Sequence, residues 1–162
     1  MINSNAKTSC NPKRIGVAAD HAGFELKEYL KKRLLEKKYE VVDFGNSQMQ
    51  PDDDYPDYVI PLARAITDGS VIRGIAVCGS GVGACIAANK VSGVRACLIH
   101  EKFSARQGVE DDDMNMICLG GRVVDQSLAL ELTLLFLAAK FSGEKRHIRR
   151  LEKITAFENN QK

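Results

Sequence analysis

Five short apolar runs, each followed by a stretch with helical spacing or turn-forming residues, constrain this chain more than any other feature. They are IGVAA (15–19), EVVDFG (40–45), GIAVCG (74–79), RACLIH (95–100) and NMICLGG (115–121). Each is apolar on both faces, as a parallel strand must be when helices cover both sides of its sheet. In the first interval Phe24, Leu26, Tyr29, Leu30, Leu34 and Leu35 recur at helical spacing over 23–38, with Lys27, Lys31, Lys32 and Lys38 expected to turn outward. Further helices are expected over 58–67, 84–90, 103–109, 127–141 and 144–158. This alternation predicts an α/β protein: a doubly wound, Rossmann-like three-layer sandwich around a five-stranded parallel sheet.

With 162 residues, 44% of them hydrophobic, the chain can bury a core without disulfides or metals. Residues 1–13 read as a disordered tail and 14–160 as a single domain, with no internal repeat or low-complexity tract. The 23 basic and 21 acidic residues leave a formal charge of +2, too balanced for nucleic acid or an anionic membrane to be the main partner. No run approaches a membrane span and MINSNAKTSCNPK has no apolar signal core, so a cytoplasmic location is expected. The odd set Cys10, Cys78, Cys85, Cys97 and Cys118 lacks C-x-x-C spacing and nearby histidine pairs, which fits a reducing compartment and no zinc. Cys85, Cys97 and Cys118 sit among Ala, Ile and Leu and read as small buried hydrophobes.

Open sheets of this kind bind ligands outside the carboxyl ends of their strands, so residues following a strand are the candidates. Asp20-His21 follows the first run; Asp20 reads either as a site carboxylate or as a cap for the next helix. Cys78 ends the third run and is followed by Gly79-Ser80-Gly81-Val82-Gly83. Such a turn offers backbone N–H groups and a helix N-terminus to an anion, a setting that makes a cysteine there a candidate base or nucleophile. The alternate glycines match neither G-x-G-x-x-G nor a P-loop. Around the fifth run stand Asp111, Asp112 and Asp113 before it and Arg122 after it, while Arg146, His147, Arg149 and Arg150 open the last helix. Arg146 and Arg150 share a helix face and form either a phosphate grip or a solvated basic surface. Asp52, Asp53 and Asp54, before Tyr55-Pro56, read as a solvated loop.

ADHAGFELK (19–27), DYPDY (54–58), CGSGVGACIAANK (78–90), NMICLGGRVV (115–124) and GEKRHIRRLEKI (143–154) together resemble the ribose-5-phosphate isomerase type B family, which includes galactose-6-phosphate isomerase subunits. The resemblance implies a doubly wound fold, a homodimer or tetramer with shared active sites, and no metal or organic cofactor. It makes Cys78 the base that moves a proton between C1 and C2 of a phosphorylated sugar, beside Ser80 and the amides of Gly79, Gly81, Val82 and Gly83. Asp20, His21 and Tyr55 are then expected at the sugar, and Arg122, Arg146 and Arg150 at its phosphate. Many members carry His-Asn shortly before the fifth strand, the His opening the furanose ring. Here the aligned pair is Asp111-Asp112. That leaves Asp111 as a catalytic candidate, Asp112 as a substrate contact and His100 as a substitute acid. The implied reaction interconverts ribose 5-phosphate and ribulose 5-phosphate in the pentose phosphate pathway. Alternatives are isomerisation of a tetrose or hexose phosphate, or a non-catalytic sugar-phosphate sensor.

Overall fold

The computed structural model describes residues 11 and 13 to 160, so the expected tail and Cys10 lie largely outside the described residues. The elements run β1 (Arg14–Ala19), α1 (Phe24–Glu36), β2 (Glu40–Asp43), α2 (Pro56–Thr67), β3 (Gly74–Cys78), α3 (Val82–Ala88), β4 (Ala96–Leu98), α4 (Lys102–Asp112), β5 (Met116–Gly120), α5 (Gln126–Ala138) and α6 (Lys145–Asn159). All pairings are parallel and the strand order is β2-β1-β3-β5-β4.

Side-chain alternation sorts the strands' residues into two cores. Ile15, Val17, Ile75, Val77, Ile117 and Leu119 face one side, where Leu26, Leu30 and Leu34 of α1, Val109 of α4 and Leu132 and Phe136 of α5 cover them. Ala18, Ala76, Cys78, Met116 and Cys118 face the other, against Val59, Leu62 and Ala63 of α2 and Ala84, Ala87 and Ala88 of α3. The result is the expected three-layer sandwich with a five-stranded sheet. Small residues dominate the α2–α3 side, which lets these helices approach closely. A methyl group on Gly74 would fall 2.8 Å from Ile66 Cδ1.

The order of strand addition reverses between β1, which leads outward to β2 on one side, and β3, which leads toward β5 and β4 on the other. This is the topological switch point, and in parallel sheets a crevice opens there beyond the strand ends. Register pairs Ala19 with Val77, so Asp20-His21 and Cys78-Gly79 leave the sheet side by side. Among the described residues no helix is long and apolar enough to cross a membrane.

Three expectations need correction. Lys27 does not turn outward: it is fully buried, and its Nζ lies 2.8 Å from Asp43 Oδ2, 2.7 Å from Glu28 Oε1 and 3.0 Å from the Asn46 carbonyl. Its helical spacing matched a charged stripe, but Asp43 at the end of β2 supplies a buried partner that periodicity cannot see. Secondly, α4 runs through Asp112 and stops at Asp113, which adopts a left-handed φ of 48°, so Asp111 and Asp112 occupy a last helical turn rather than a loop. Finally, β2 and β4 end before their apolar runs do, because pairing covers only Glu40–Asp43 and Ala96–Leu98.

Candidate active site

Cys78 ends β3 with its side chain in the α2–α3 layer, and burial leaves it 4% exposed. The chain then turns through Gly81 into α3. Gly81 has φ +82°, and a methyl group there would fall 2.5 Å from Leu98 Cδ1 and 2.9 Å from the Leu119 carbonyl carbon. Only glycine makes this turn without strain. The turn aims the Gly81 N–H at Cys78 Sγ, 3.1 Å away. Val82 N–H donates to Ser80 Oγ at 3.3 Å. Two of the amides expected to cradle an oxyanion are therefore committed within the loop, one of them to the thiol itself. The amides of Ser80, Gly83 and Ala84 carry no hydrogen bond among the described residues.

The neighbouring β5–α5 turn locks onto this loop. Gly121 N–H donates to the Cys78 carbonyl at 2.8 Å and Arg122 N–H to the Gly79 carbonyl at 3.0 Å. The Arg122 side chain lies over Gly79, where a methyl group would sit 3.6 Å from Nη1. Across the cleft, Tyr55 presses on α3 so closely that a methyl group on Gly83 would meet its Cζ at 2.6 Å. The resulting cleft, of about 430 Å³, is lined by Asp20, His21, Tyr55, Cys78, Ser80 and Arg122, together with Ala22, Gly79, Gly83 and Val123.

Asp20 does not cap α1, whose N-cap is Gly23 with no side-chain cap hydrogen bond. It lines the cleft, while its Oδ1 accepts the Ala22 and Gly23 N–H groups at 3.0 and 3.1 Å and so shapes the entry to α1. His21 is held by a residue that sequence reasoning assigned to solvent. Asp53 Oδ1 accepts the His21 backbone N–H at 2.7 Å and lies 3.0 Å from His21 Nδ1. Asp53 Oδ2 accepts from Asn46 Nδ2 at 3.2 Å, and the Tyr58 hydroxyl also donates to this carboxylate. The Asp53 hydrogen bond raises the imidazole's pKa above its ordinary value against the opposing pull of burial, with the charge of Asp20 adding to it. Burial alone would raise the Asp53 carboxyl, but hydrogen bonds from His21, Tyr58 and Asn46 outweigh it and hold the carboxyl below its usual range. The run of three aspartates gave no sign that its middle member turns inward.

Five candidates lie outside this cleft. Asp111 Oδ2 accepts from Gln107 Nε2 at 2.7 Å, and its Oδ1 lies 3.6 Å from Nδ1 of buried His147. Asp112 is exposed on the same turn. Arg146 and Arg150 are exposed on the first turns of α6, Arg146 paired with Glu144 at 2.9 Å. His100 is exposed and no hydrogen bond is described for it. Of the three cysteines expected to be buried only Cys118 is; Cys97 and Cys85 are half-buried, and a hydrogen bond from Cys118 draws the Cys85 thiol down to about 6.

Residues 15–154 match the family model described as Ribose/Galactose Isomerase. The chain belongs to the ribose/galactose isomerase family. Ribose-5-phosphate isomerase B of Escherichia coli is 40% identical over 146 residues, 90% of this chain and 97% of that protein. D-erythrulose-4-phosphate isomerase of Pectobacterium atrosepticum is 37% identical over 148 residues, 91% of this chain and 97% of its own length. The crystal structure of ribose-5-phosphate isomerase B from Mycoplasma genitalium with bound ribulose-5-phosphate superposes with a TM-score of 0.86 at 39% identity, covering 90% of this chain and 96% of that one. The two relatives are named for sugar phosphates of different length.

Proposed function

We propose that this protein is an aldose–ketose isomerase that interconverts ribose 5-phosphate and ribulose 5-phosphate, a reaction of the pentose phosphate pathway, through an enediolate. The observation that carries the reading is the Cys78 sulfur, fixed by the Gly81 N–H at the edge of a cleft beside Ser80 and Arg122. A thiolate there takes the C2 proton of the open aldose. The C2 electrons then shift to form a C1–C2 double bond, and the charge moves to O1. Fixed donors aimed at such an oxyanion contribute on the order of 3 kcal/mol each. The unengaged amides of Ser80, Gly83 and Ala84 and the Ser80 hydroxyl stand nearest to serve. A proton passes from O2 to O1, and return of the first proton to C1 then leaves C2 as the carbonyl of the ketose. In this reading Arg122, which lines the cleft, meets the phosphate.

Arg146 and Arg150 support a shared site. They crowd the start of α6, where the helix macrodipole disfavours cations and favours an anion. The same helix leaves Ile148, Ile154 and Phe157 exposed, an apolar surface that a second copy would cover. In this reading the protein is a cytoplasmic homodimer or tetramer in which these arginines reach the neighbouring copy's cleft. The relatives named above support the sugar-phosphate class.

A second reading, isomerisation of a tetrose phosphate, is favoured by Asp111-Asp112, which replaces the ring-opening pair, and by the D-erythrulose-4-phosphate isomerase relative. Comparing kcat/KM across aldose phosphates separates the two. Cys78→Ala should abolish turnover while binding of a sugar phosphate persists. An unchanged kcat would overturn the assignment, and a wild type that binds without turnover would make the protein a sensor.

A further inference from the structure

We propose that the amino edge of the sheet carries a second binding site, separate from the cleft, for a small organic acid anion. The proposal goes beyond the isomerase reading and does not depend on it.

The strand register builds the site. Gly74 and Ala96, the first residues of β3 and β4, both pair with Met116, the first residue of β5. Arg73, Asn115 and Arg95 therefore stand level, one residue before their strands, with Asn115 in the middle. The two arginines start two strand spacings apart, roughly 10 Å, which leaves room for a small molecule between them. Asn115 Oδ1 accepts the Arg95 N–H at 2.7 Å, and the Asn115 carbonyl accepts the Gly74 N–H at 3.0 Å, so the three starts are held in line. Lys140, just beyond the end of α5, joins them around a cavity of about 440 Å³. Cys78 closes the far end of β3, about 16 Å along the strand from Arg73. An occupant of this cavity and a sugar in the cleft do not touch.

The cavity holds more positive charge than its own groups neutralise. Arg95 is paired, with Nη2 2.6 Å from Asp113 Oδ2 and Nε donating to the Asp113 carbonyl at 2.8 Å. Arg73 has no carboxylate partner among the described residues. Its guanidinium lies over the Phe136 ring, 5.1 Å from the centroid, and donates to the Phe136 carbonyl and, at 2.8 Å, to that of Ala139. Those bonds satisfy the end of α5 but leave the charge without a counter-ion and further N–H groups to spare. Burial pushes this guanidinium down from its ordinary value, and the charge of Asp113 opposes that. Lys140 is exposed, and no ion pair is described for it. Three cations thus face one carboxylate, and an incoming carboxylate meets the planar donor edge that suits it.

The rest of the wall is apolar. Ile66, Met114 and Leu137 line it, together with Ile72, which is 36% exposed. An inorganic anion leaves that wall wet, whereas an acid with a short hydrocarbon body covers it.

Titration of the full-length, 15N-labelled protein with acetate, butanoate and inorganic phosphate, followed by amide NMR shifts, tests this. Butanoate should move the amides of Ile72, Gly74, Arg95 and Asn115 saturably while those of Gly79 to Ala84 stay in place. It should bind up to roughly 15-fold more tightly than acetate, about fourfold for each of its two extra methylenes. Arg73→Met should weaken butanoate at least about tenfold. Lys140→Ala changes an exposed side chain and so keeps the fold even if Arg73→Met loosens the end of α5; it should weaken butanoate roughly two- to fivefold. No saturable shift at these amides, or the same affinity in both variants as in wild type, would overturn the site. Equal binding of acetate and butanoate, or shifts there with phosphate alone, would overturn the organic acid as its ligand. Shifts of Gly79 to Ala84 with phosphate bear on the cleft and leave this site untouched.

Discussion

Lys27→Met tests how a buried cation on the first helix supports the fold. Lys27 is fully buried, with Nζ 3.0 and 2.8 Å from the Asp43 oxygens, 2.7 Å from Glu28 and 3.0 Å from the Asn46 carbonyl. Removing one member of a buried pair costs about 3–5 kcal/mol, because the other charge is left without its partner. Asp43 keeps two partners, Lys31 Nζ at 2.7 Å and the Gly45 N–H at 2.9 Å, and its side chain is 19% exposed. Methionine also fills much of the lysine stem's volume. The expected loss is therefore about 2–3 kcal/mol, below the full range. Its pH dependence follows from Asp43. Burial alone would raise that carboxyl, but Lys27, Lys31 and the Gly45 amide outweigh it and hold it below its ordinary value. A depressed carboxyl contributes stability that is present above the unfolded value, about 3.9, and is lost as pH falls through the folded one. The gap between wild type and variant should thus be widest at neutral pH and close on acidification. Urea denaturation of both proteins from neutrality to about pH 3 measures it. A loss below about 1 kcal/mol at neutrality, or a gap that does not change with pH, would refute this reasoning.

Gly81→Ala forces a β-carbon into left-handed backbone at φ +82° and against Leu98 and Leu119. It should cost about 1–2 kcal/mol in denaturation from the backbone alone. It should also lower kcat roughly tenfold as the amide leaves the Cys78 sulfur; an unchanged kcat would separate the turn from the chemistry. If sites are shared between copies, inactive Cys78→Ala and Arg146→Ala proteins mixed under subunit exchange should recover about a quarter of wild-type activity, because half the dimers carry one intact site. No recovery despite demonstrated exchange would place Arg146 outside the neighbouring copy's cleft.

The fold was legible because its signals are local and repeated. Apolar runs such as IGVAA and GIAVCG are covered on both faces, and each is followed by a helix that must return over the sheet. The switch point then located Cys78, Asp20 and His21 together, since strand ends alone define that edge. What stayed hidden depends on pairing between distant residues. Lys27 was expected outside because helical spacing carries no record of Asp43, and Asp53 was expected in solvent because a run of three acids looks the same whichever one turns inward. The end of α4 was misjudged for a related reason. Asp111 and Asp112 are weak helix formers, yet the helix continues through them and is closed by Asp113 in a left-handed cap. The arginines of α6 were visible as a helix face, while their placement in a site depends on a second copy that one sequence does not display.

The central claim is proton transfer by Cys78 through an enediolate, and one measurement reaches it directly. Ribose 5-phosphate converted in deuterated water by the wild-type protein should yield ribulose 5-phosphate carrying solvent deuterium at C1, because a thiol that holds the C2 proton exchanges it with solvent. Full retention of the C2 hydrogen at C1 that persists in Cys78→Ala with turnover unchanged would mean transfer without the thiol, as in a direct hydride shift, and would contradict the account.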